Sequence, residues 1–159
     1  DFLQTRDEID KENICVCGHS RLGKTALLTA ACDTRFAVAH SNCSGCSGDS
    51  LNRGKQKGTE TIGDIIDRFE FWFCENYKKY CNNEDNMPFD QHYLGALVAP
   101  RKLCIVTAEK DTWADTDAQY LCAEAASVIW HKHGLMGLNQ ADGFLPMGHN
   151  DLKGTIGFS

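Results

Sequence analysis

A potentially nucleophilic serine and a lysine that can bind anions lie in one octapeptide, Gly18-His19-Ser20-Arg21-Leu22-Gly23-Lys24-Thr25. The octapeptide matches the phosphate-loop pattern, which is a glycine, any four residues and then Gly-Lys-Thr. In a phosphate loop, backbone amides and the lysine bind the phosphates of a nucleotide. The surroundings of Ser20 also match a nucleophile elbow, a tight turn between a strand and a helix that presents a serine hydroxyl to a carbonyl carbon. The pattern of the octapeptide alone allows both interpretations.

The side chains inside the turn favour the elbow. A phosphate loop wraps its backbone closely around phosphate oxygens, which favours glycine and small side chains. Here the interior runs from His19 to Leu22 and is bulky. An arginine directly after the serine would place a cation where an oxyanion develops, beside its own backbone amide at the helix N-terminus. We therefore predict Ser20 as the nucleophile and Arg21 as an oxyanion-binding residue.

Predicted strands and helices alternate along the chain, which indicates an α/β fold with a mostly parallel sheet. The predicted strands are Ile14 to Cys17, Phe36 to Ala39 and Leu103 to Thr107. The predicted helices are Leu22 to Ala31, Thr61 to Phe69, Asp90 to Val98 and Asp117 to His133, the last one capped by Gly134. The polar, glycine-rich loop from Ser41 to Lys57 is the predicted mobile segment. No linker or low-complexity segment divides the chain, so we predict one domain.

Composition excludes several kinds of protein. The chain has 159 residues, 42% apolar residues and a formal net charge of −6, which argues against nonspecific nucleic-acid binding. No apolar run is long enough to cross a membrane. Nine cysteines include a Cys43-x-x-Cys46 pair, but no second pair stands at zinc-finger spacing, so we predict no metal site. Five other cysteines are predicted as small buried apolar residues: Cys15, Cys17, Cys32, Cys104 and Cys122.

The residues from Gly18 to Leu27 resemble the signature of the glucuronoyl esterases, a carbohydrate esterase family with an α/β-hydrolase fold. Segments with the same order and spacing as in the bacterial-type members continue the resemblance from about Asp1 to Gly137. They include Asp33-Thr34-Arg35-Phe36-Ala37, Ser41 to Gly48, Gly58-Thr59-Glu60-Thr61, Phe71 to Tyr77, Pro88 to His92 and Ala108 to Asp115. The resemblance is to the second half of a larger catalytic domain. It implies that residues 1–159 are a single incomplete domain, the C-terminal part of a three-layer sandwich truncated at both ends.

A nucleophilic serine needs a histidine base that is itself oriented by an acid, in the chain order serine, acid, histidine. The position of Cys43 resembles that of the acid in the fungal members, and a cysteine cannot orient a histidine as a carboxylate does. Asp111 follows a predicted strand, at the place where this fold carries its acid, and lies in a matching segment. We predict Asp111 as the acid, with Asp115 as the alternative and as a helix N-cap.

The histidine base has one candidate inside the chain, His149. The segment Gly154 to Phe158 resembles the family segment that comes just before the catalytic histidine, which places the base beyond Ser159. His131 and His133 end a predicted helix beside Lys132, where the helix dipole favours cations, so they are expected in solvent.

The resemblance also implies a sugar site. Lys24 would contact the hydroxyls of a glucuronate ring, Glu60 would accept hydrogen bonds from sugar hydroxyls, and Trp113 would offer a flat apolar face. Each residue has an ordinary structural interpretation as well. Lys24 could be a solvated helix residue, Glu60 an acid in the first turn of a helix, and Trp113 a core anchor.

The expected activity is hydrolysis of 4-O-methyl-glucuronoyl esters, such as those between glucuronoxylan and lignin alcohols, without a cofactor. The resemblance implies an extracellular or periplasmic enzyme. One alternative is a nucleotide hydrolase that uses Gly18 to Thr25 as a phosphate loop and Asp111 as a magnesium-binding acid. The other is a carbohydrate-binding relative that keeps the pocket without a complete triad.

Overall fold

Four parallel strands form one sheet in the order β1-β2-β3-β4. The structure, a computed structural model, describes residues 1–139, 148 and 150–159. The strands are β1 (Cys15–His19), β2 (Val38–Asn42), β3 (Lys102–Val106) and β4 (Ile156–Phe158). The last residues of β1, β2 and β3 are paired with one another across the sheet. The segments that follow these three strands therefore leave the sheet at the same edge.

In the described part of the chain, four α-helices accompany the strands: α1 (Arg21–Cys32), α2 (Ile62–Phe69), α3 (His92–Ala96) and α4 (Thr116–Lys132). Thr61 and Asp64 form a reciprocal capping box that starts α2, and the carboxylate of Asp115 caps α4 by accepting from the amide of Ala118 at 3.1 Å. Gly134, with φ 72°, follows α4 as predicted. Among the described residues, no helix has the length and apolar character needed to span a bilayer.

The main core lies between one face of the sheet and helices α1, α3 and α4. Trp130 of α4 is fully buried there, and its indole N–H donates to the carbonyl of Arg101 at 2.9 Å. Cys122 is buried as predicted and Cys104 is half-buried, whereas Cys15, Cys17 and Cys32 are exposed, so the prediction is wrong for these three. Cys15 and Cys17 alternate with residues of the packed face, because successive side chains of a strand point to opposite sides.

The loop after β2 is buried and hydrogen-bonded, which does not support the prediction of a mobile segment. Asp49 is 2% exposed and accepts hydrogen bonds from the Ser41 hydroxyl at 2.7 Å, the Gly45 amide at 2.8 Å and the Gln119 side chain at 2.8 Å. Lys55 forms an ion pair with Asp115 at 3.4 Å, with both side chains buried. The polar residues that suggested a solvated loop instead satisfy one another inside the protein.

Candidate active site

The turn between β1 and α1 is a strained elbow. Ser20 is its only residue, with φ 56° and ψ −126°, and its side chain is exposed. Its amide donates to the carbonyl of Asn42 at 2.8 Å, and its carbonyl accepts from the amide of Gly23 at 2.8 Å. A Cβ atom on Gly18 would lie 2.1 Å from the carbonyl oxygen of Leu22. The predicted strand, turn and helix are confirmed, and the elbow presents the Ser20 hydroxyl to solvent.

The same geometry argues against a phosphate loop. The carbonyl of Leu22 lies close against the backbone of Gly18, which leaves little room for a phosphate at this glycine. The Lys24 ammonium donates to the carbonyls of Ser44 and Cys46, the latter at 2.6 Å, and lies 3.6 Å from the carboxylate of Glu60, whose negative charge would repel a phosphate but not a neutral hydroxyl. The structure therefore does not favour the nucleotide hydrolase alternative.

Lys24, Glu60 and Trp113 come together in one connected cluster. The Lys24 ammonium lies 3.6 Å from one carboxylate oxygen of Glu60. The indole N–H of Trp113 donates to the other oxygen at 2.9 Å, and the Glu60 amide donates to the Trp113 carbonyl at 2.9 Å. Burial raises the pKa of Glu60, and this effect is opposed by Lys24 and by the indole bond. The structure thus brings the three predicted sugar-binding residues together, with Glu60 in contact with both Lys24 and Trp113.

The ordinary interpretations of these three residues do not fit. The side chain of Lys24 is 12% exposed, so it is not a solvated helix residue. Glu60 is buried and precedes the N-cap of α2, so it is not a first-turn acid at the helix surface. Trp113 is half-buried and lies in the loop between β3 and α4, outside the main core.

Asp111 lies at the same edge of the sheet as Ser20, in the loop that follows β3. Its carboxylate accepts from the amide of Ala114 at 3.2 Å. Cys43 follows β2 directly, and burial, followed by the charges of Asp111 and Asp49, raises the pKa of its thiol to about 11, with a further contribution from a hydrogen bond to Asp111. The neutral thiol of Cys43 and the carboxylate of Asp111 are therefore neighbours at this edge.

Asp115, the alternative acid, has a structural position. One carboxylate oxygen caps α4 and the other faces the ammonium of Lys55. This agrees with its prediction as an N-cap. His131 and His133 are exposed, as expected, and His149 lies outside the described residues. Within the described ranges, no group of three histidine, cysteine or acidic side chains is arranged to hold a metal ion.

Arg21 borders a cavity of about 360 Å³ beside the elbow. Its guanidinium carbon lies 5.7 Å from the centroid of the Trp72 ring. Sequence reasoning did not connect Trp72 with this site, because the two residues are distant in the chain and no local pattern links them. The cavity is lined by Arg21, Leu22, Lys24, Thr25, Leu28, Ser47, Trp72, Phe73 and Leu94. Arg21 therefore lies between the elbow and a largely apolar recess.

The Lys24 and Glu60 pair allows a prediction about stability. We expect Lys24→Met in the complete protein to lower the free energy of unfolding by about 3 kcal/mol, because the buried carboxylate of Glu60 loses its ionic partner. Adding Glu60→Gln removes the unpaired charge while keeping an acceptor for Trp113, so the double variant should regain about 1 kcal/mol or more of that loss. Chemical denaturation of the single and double variants measures both effects.

Lys110→Met is the matched control, since Lys110 is exposed and also lies near the site in the β3 to α4 loop. It should change the free energy of unfolding by less than about 0.5 kcal/mol. If the double variant changes the free energy of unfolding by the sum of the changes in Lys24→Met and Glu60→Gln, the two residues are not energetically coupled and the prediction is wrong.

Comparisons with known proteins agree with this geometry. The family model described as glucuronyl esterase, fungi, matches residues 1–134. Carbohydrate esterase MZ0003, from an unknown prokaryotic organism, is 42% identical over 158 residues, which cover 99% of this chain and 36% of that protein. The 4-O-methyl-glucuronoyl methylesterase 1 of Wolfiporia cocos is 31% identical over 158 residues, covering 94% of this chain and 38% of the relative.

A solved structure of a promiscuous CE15 esterase from the marine bacterial metagenome superposes with a TM-score of 0.93 at 42% identity, over 99% of this chain and 39% of that one. The chain thus spans little more than a third of the length of these relatives. The superposition confirms the predicted α/β-hydrolase fold. The family model covers most of the sequence, and the chain belongs to the glucuronyl esterase family.

Proposed function

We propose that the complete protein hydrolyses 4-O-methyl-glucuronoyl esters through an acyl-enzyme formed on Ser20. The observation that carries this proposal is the exposed Ser20 elbow, followed one helical turn later by Lys24, which pairs with Glu60, the acceptor of the Trp113 indole N–H. An elbow supplies an acyl-transfer nucleophile, and the polar and aromatic cluster beside it suits a sugar. The name of the Wolfiporia relative supports this ester class.

In the proposed reaction the Ser20 hydroxyl attacks the ester carbonyl while its proton passes to the histidine base. The Arg21 guanidinium and backbone amides at the start of α1 stabilise the oxyanion. The base then protonates the departing alcohol, and water, activated by the same base, releases the uronic acid and restores the serine. Asp111 orients the base, as an acid at this edge of the sheet can.

The proposed substrate is a glucuronate ester carried on a polysaccharide such as glucuronoxylan. Trp113 would pack against the apolar face of the sugar ring, as aromatic side chains do with flat ligands. Glu60 and Lys24 would bind ring hydroxyls as acceptor and donor. Their mutual contacts hold both groups in place before the ligand arrives.

The test is direct. The complete protein is incubated with the methyl ester of 4-O-methyl-glucuronate, and acid release is followed by titration at constant pH. We expect turnover that an excess of ATP leaves unchanged, and no release of phosphate from ATP. Binding of the sugar without acid release would instead support the carbohydrate-binding alternative, and phosphate release would support the nucleotide hydrolase.

A further inference from the structure

Arg68 makes a contact that extends the sugar cluster. Its guanidinium carbon lies 4.5 Å from the centroid of the Trp113 ring, within the range of a cation–π interaction. Arg68 is exposed, and its guanidinium forms neither an ion pair nor a hydrogen bond with any other described residue. Among the described residues, the guanidinium of Arg68 therefore interacts with the face of the Trp113 indole.

Trp113 is contacted by two residues that lie near opposite ends of helix α2. Glu60 lies just before the helix and binds the indole N–H, whereas Arg68 lies in its last turn and covers the ring. Side chains of a helix lean toward its N-terminus, so the long arginine side chain extends back along α2 toward Glu60. Glu60 thus holds the indole at its N–H edge, and Arg68 covers one face of the ring.

The two contacts restrict different motions of the ring. The hydrogen bond to Glu60 fixes the position of the indole N–H, but leaves the ring able to tilt about that point. A planar guanidinium over the face opposes the tilt. The described residues record no other aromatic ring or cation stacked on Trp113. Among these residues, the face opposite Arg68 therefore has no aromatic or cationic partner.

We propose that Arg68 is a positioning residue for sugar recognition, which acts by holding the plane of the Trp113 indole. This inference rests on the proposed function. Trp113 contacts the sugar and not the reacting ester, so loss of Arg68 weakens substrate binding and leaves the chemical step intact.

The kinetic test uses the complete protein and the methyl ester of 4-O-methyl-glucuronate. We expect Arg68→Ala to raise KM about threefold, in line with an exposed cation–π contact, and to leave kcat within about twofold. Arg68→Gln should match Arg68→Ala, because it keeps the length but loses the charge. Arg68→Lys should restore part of the affinity, since it keeps the cation without the planar group.

Asp67→Ala is the control, a change at the exposed neighbouring position of the same helix. It should leave both kinetic constants unchanged. An Arg68→Ala variant with an unaltered KM, or with a lower kcat at unaltered KM, overturns the proposal.

A second readout does not depend on turnover. The indole N–H resonance of Trp113, assigned by its loss in Trp113→Phe, should shift in Arg68→Ala, while those of Trp72 and Trp130 stay in place. An unchanged Trp113 resonance overturns the positioning role. If the wild-type protein fails to hydrolyse the ester, the proposed function fails by itself, and this resonance still decides whether Arg68 holds the ring.

Discussion

Replacing Ser20 with alanine in the complete protein is expected to lower kcat for the methyl glucuronate ester by about 10⁴-fold or more. The variant removes the attacking oxygen and leaves the rest of the elbow in place. Alanine keeps the Cβ atom, so the backbone strain at φ 56° is the same in both proteins. Affinity for the uronic acid product should therefore change less than about twofold, because no contact in the proposed sugar site is altered.

Kinetics on the ester and calorimetric titration with the product measure the two quantities. Thr34→Ala removes an exposed hydroxyl elsewhere in the chain and should change neither of them. Turnover retained by Ser20→Ala would exclude Ser20 as the nucleophile.

The variant Ser20→Gly tests the backbone strain at the elbow separately from the role of the hydroxyl. The backbone angles of Ser20 belong to a region that glycine adopts freely and other residues adopt at a cost. We expect Ser20→Gly to be inactive yet more stable than the wild type by about 1 kcal/mol in chemical denaturation. A loss of stability in Ser20→Gly would show that the elbow is not strained.

Replacing Asp111 with asparagine is expected to lower kcat by about 10³- to 10⁴-fold, since an amide can hold the base in the wrong tautomer and cannot stabilise its cation. The binding of product should persist, because Lys24, Glu60 and Trp113 are unchanged. Glu109→Gln, an exposed acid in the same loop, is the control and should retain wild-type kinetics. Wild-type turnover in Asp111→Asn would assign the acid to another residue.

Asp111 and Cys43 lie at the same edge of the sheet, which suggests that a carboxylate at position 43 could replace the one lost in Asp111→Asn. The resemblance to the fungal members places their acid at the position of Cys43, and the structure brings its thiol beside the carboxylate of Asp111. We expect Cys43→Glu to restore at least about tenfold of the kcat lost in Asp111→Asn, since a carboxylate returns to the same edge of the sheet. Asp111→Asn with Cys43→Gln is the matched control and should show no recovery. If Asp111→Asn with Cys43→Glu and Asp111→Asn with Cys43→Gln have equal kcat values, a carboxylate at position 43 cannot replace that of Asp111.

Local chemistry was enough to predict the elbow and the main helices. The turn at Ser20 depends on glycine at positions 18 and 23, an apolar strand before it and helix-forming residues after it, all within about 20 residues. Helices α1, α2 and α4 begin and end within one residue of their predicted limits, because helix-forming residues and, for α2 and α4, N-cap residues mark those limits in the sequence itself. The resemblance to a family then supplied the roles of Lys24, Glu60 and Trp113.

Other features had no local signal. Strand β4 has three residues, too few for a periodic pattern, and it forms because β3 offers an open edge to pair with. The predicted helix from Asp90 to Val98 is reduced to His92–Ala96. The loop after β2 is polar in sequence, yet Asp49 and its partners bury it, since a polar group can be satisfied inside the protein as well as by water.

What the sequence determined by itself is the chemistry available at one bend of the chain: a hydroxyl, a guanidinium and an ammonium within five residues. Only the tertiary structure decided which distant groups meet them. Glu60 pairs with Lys24, Trp113 joins Glu60, Arg68 covers Trp113 and Asp111 reaches Cys43. The physical reason is that parallel strands align their carboxyl ends, so loops far apart in the chain converge at one edge of the sheet, and no periodicity or spacing encodes that convergence.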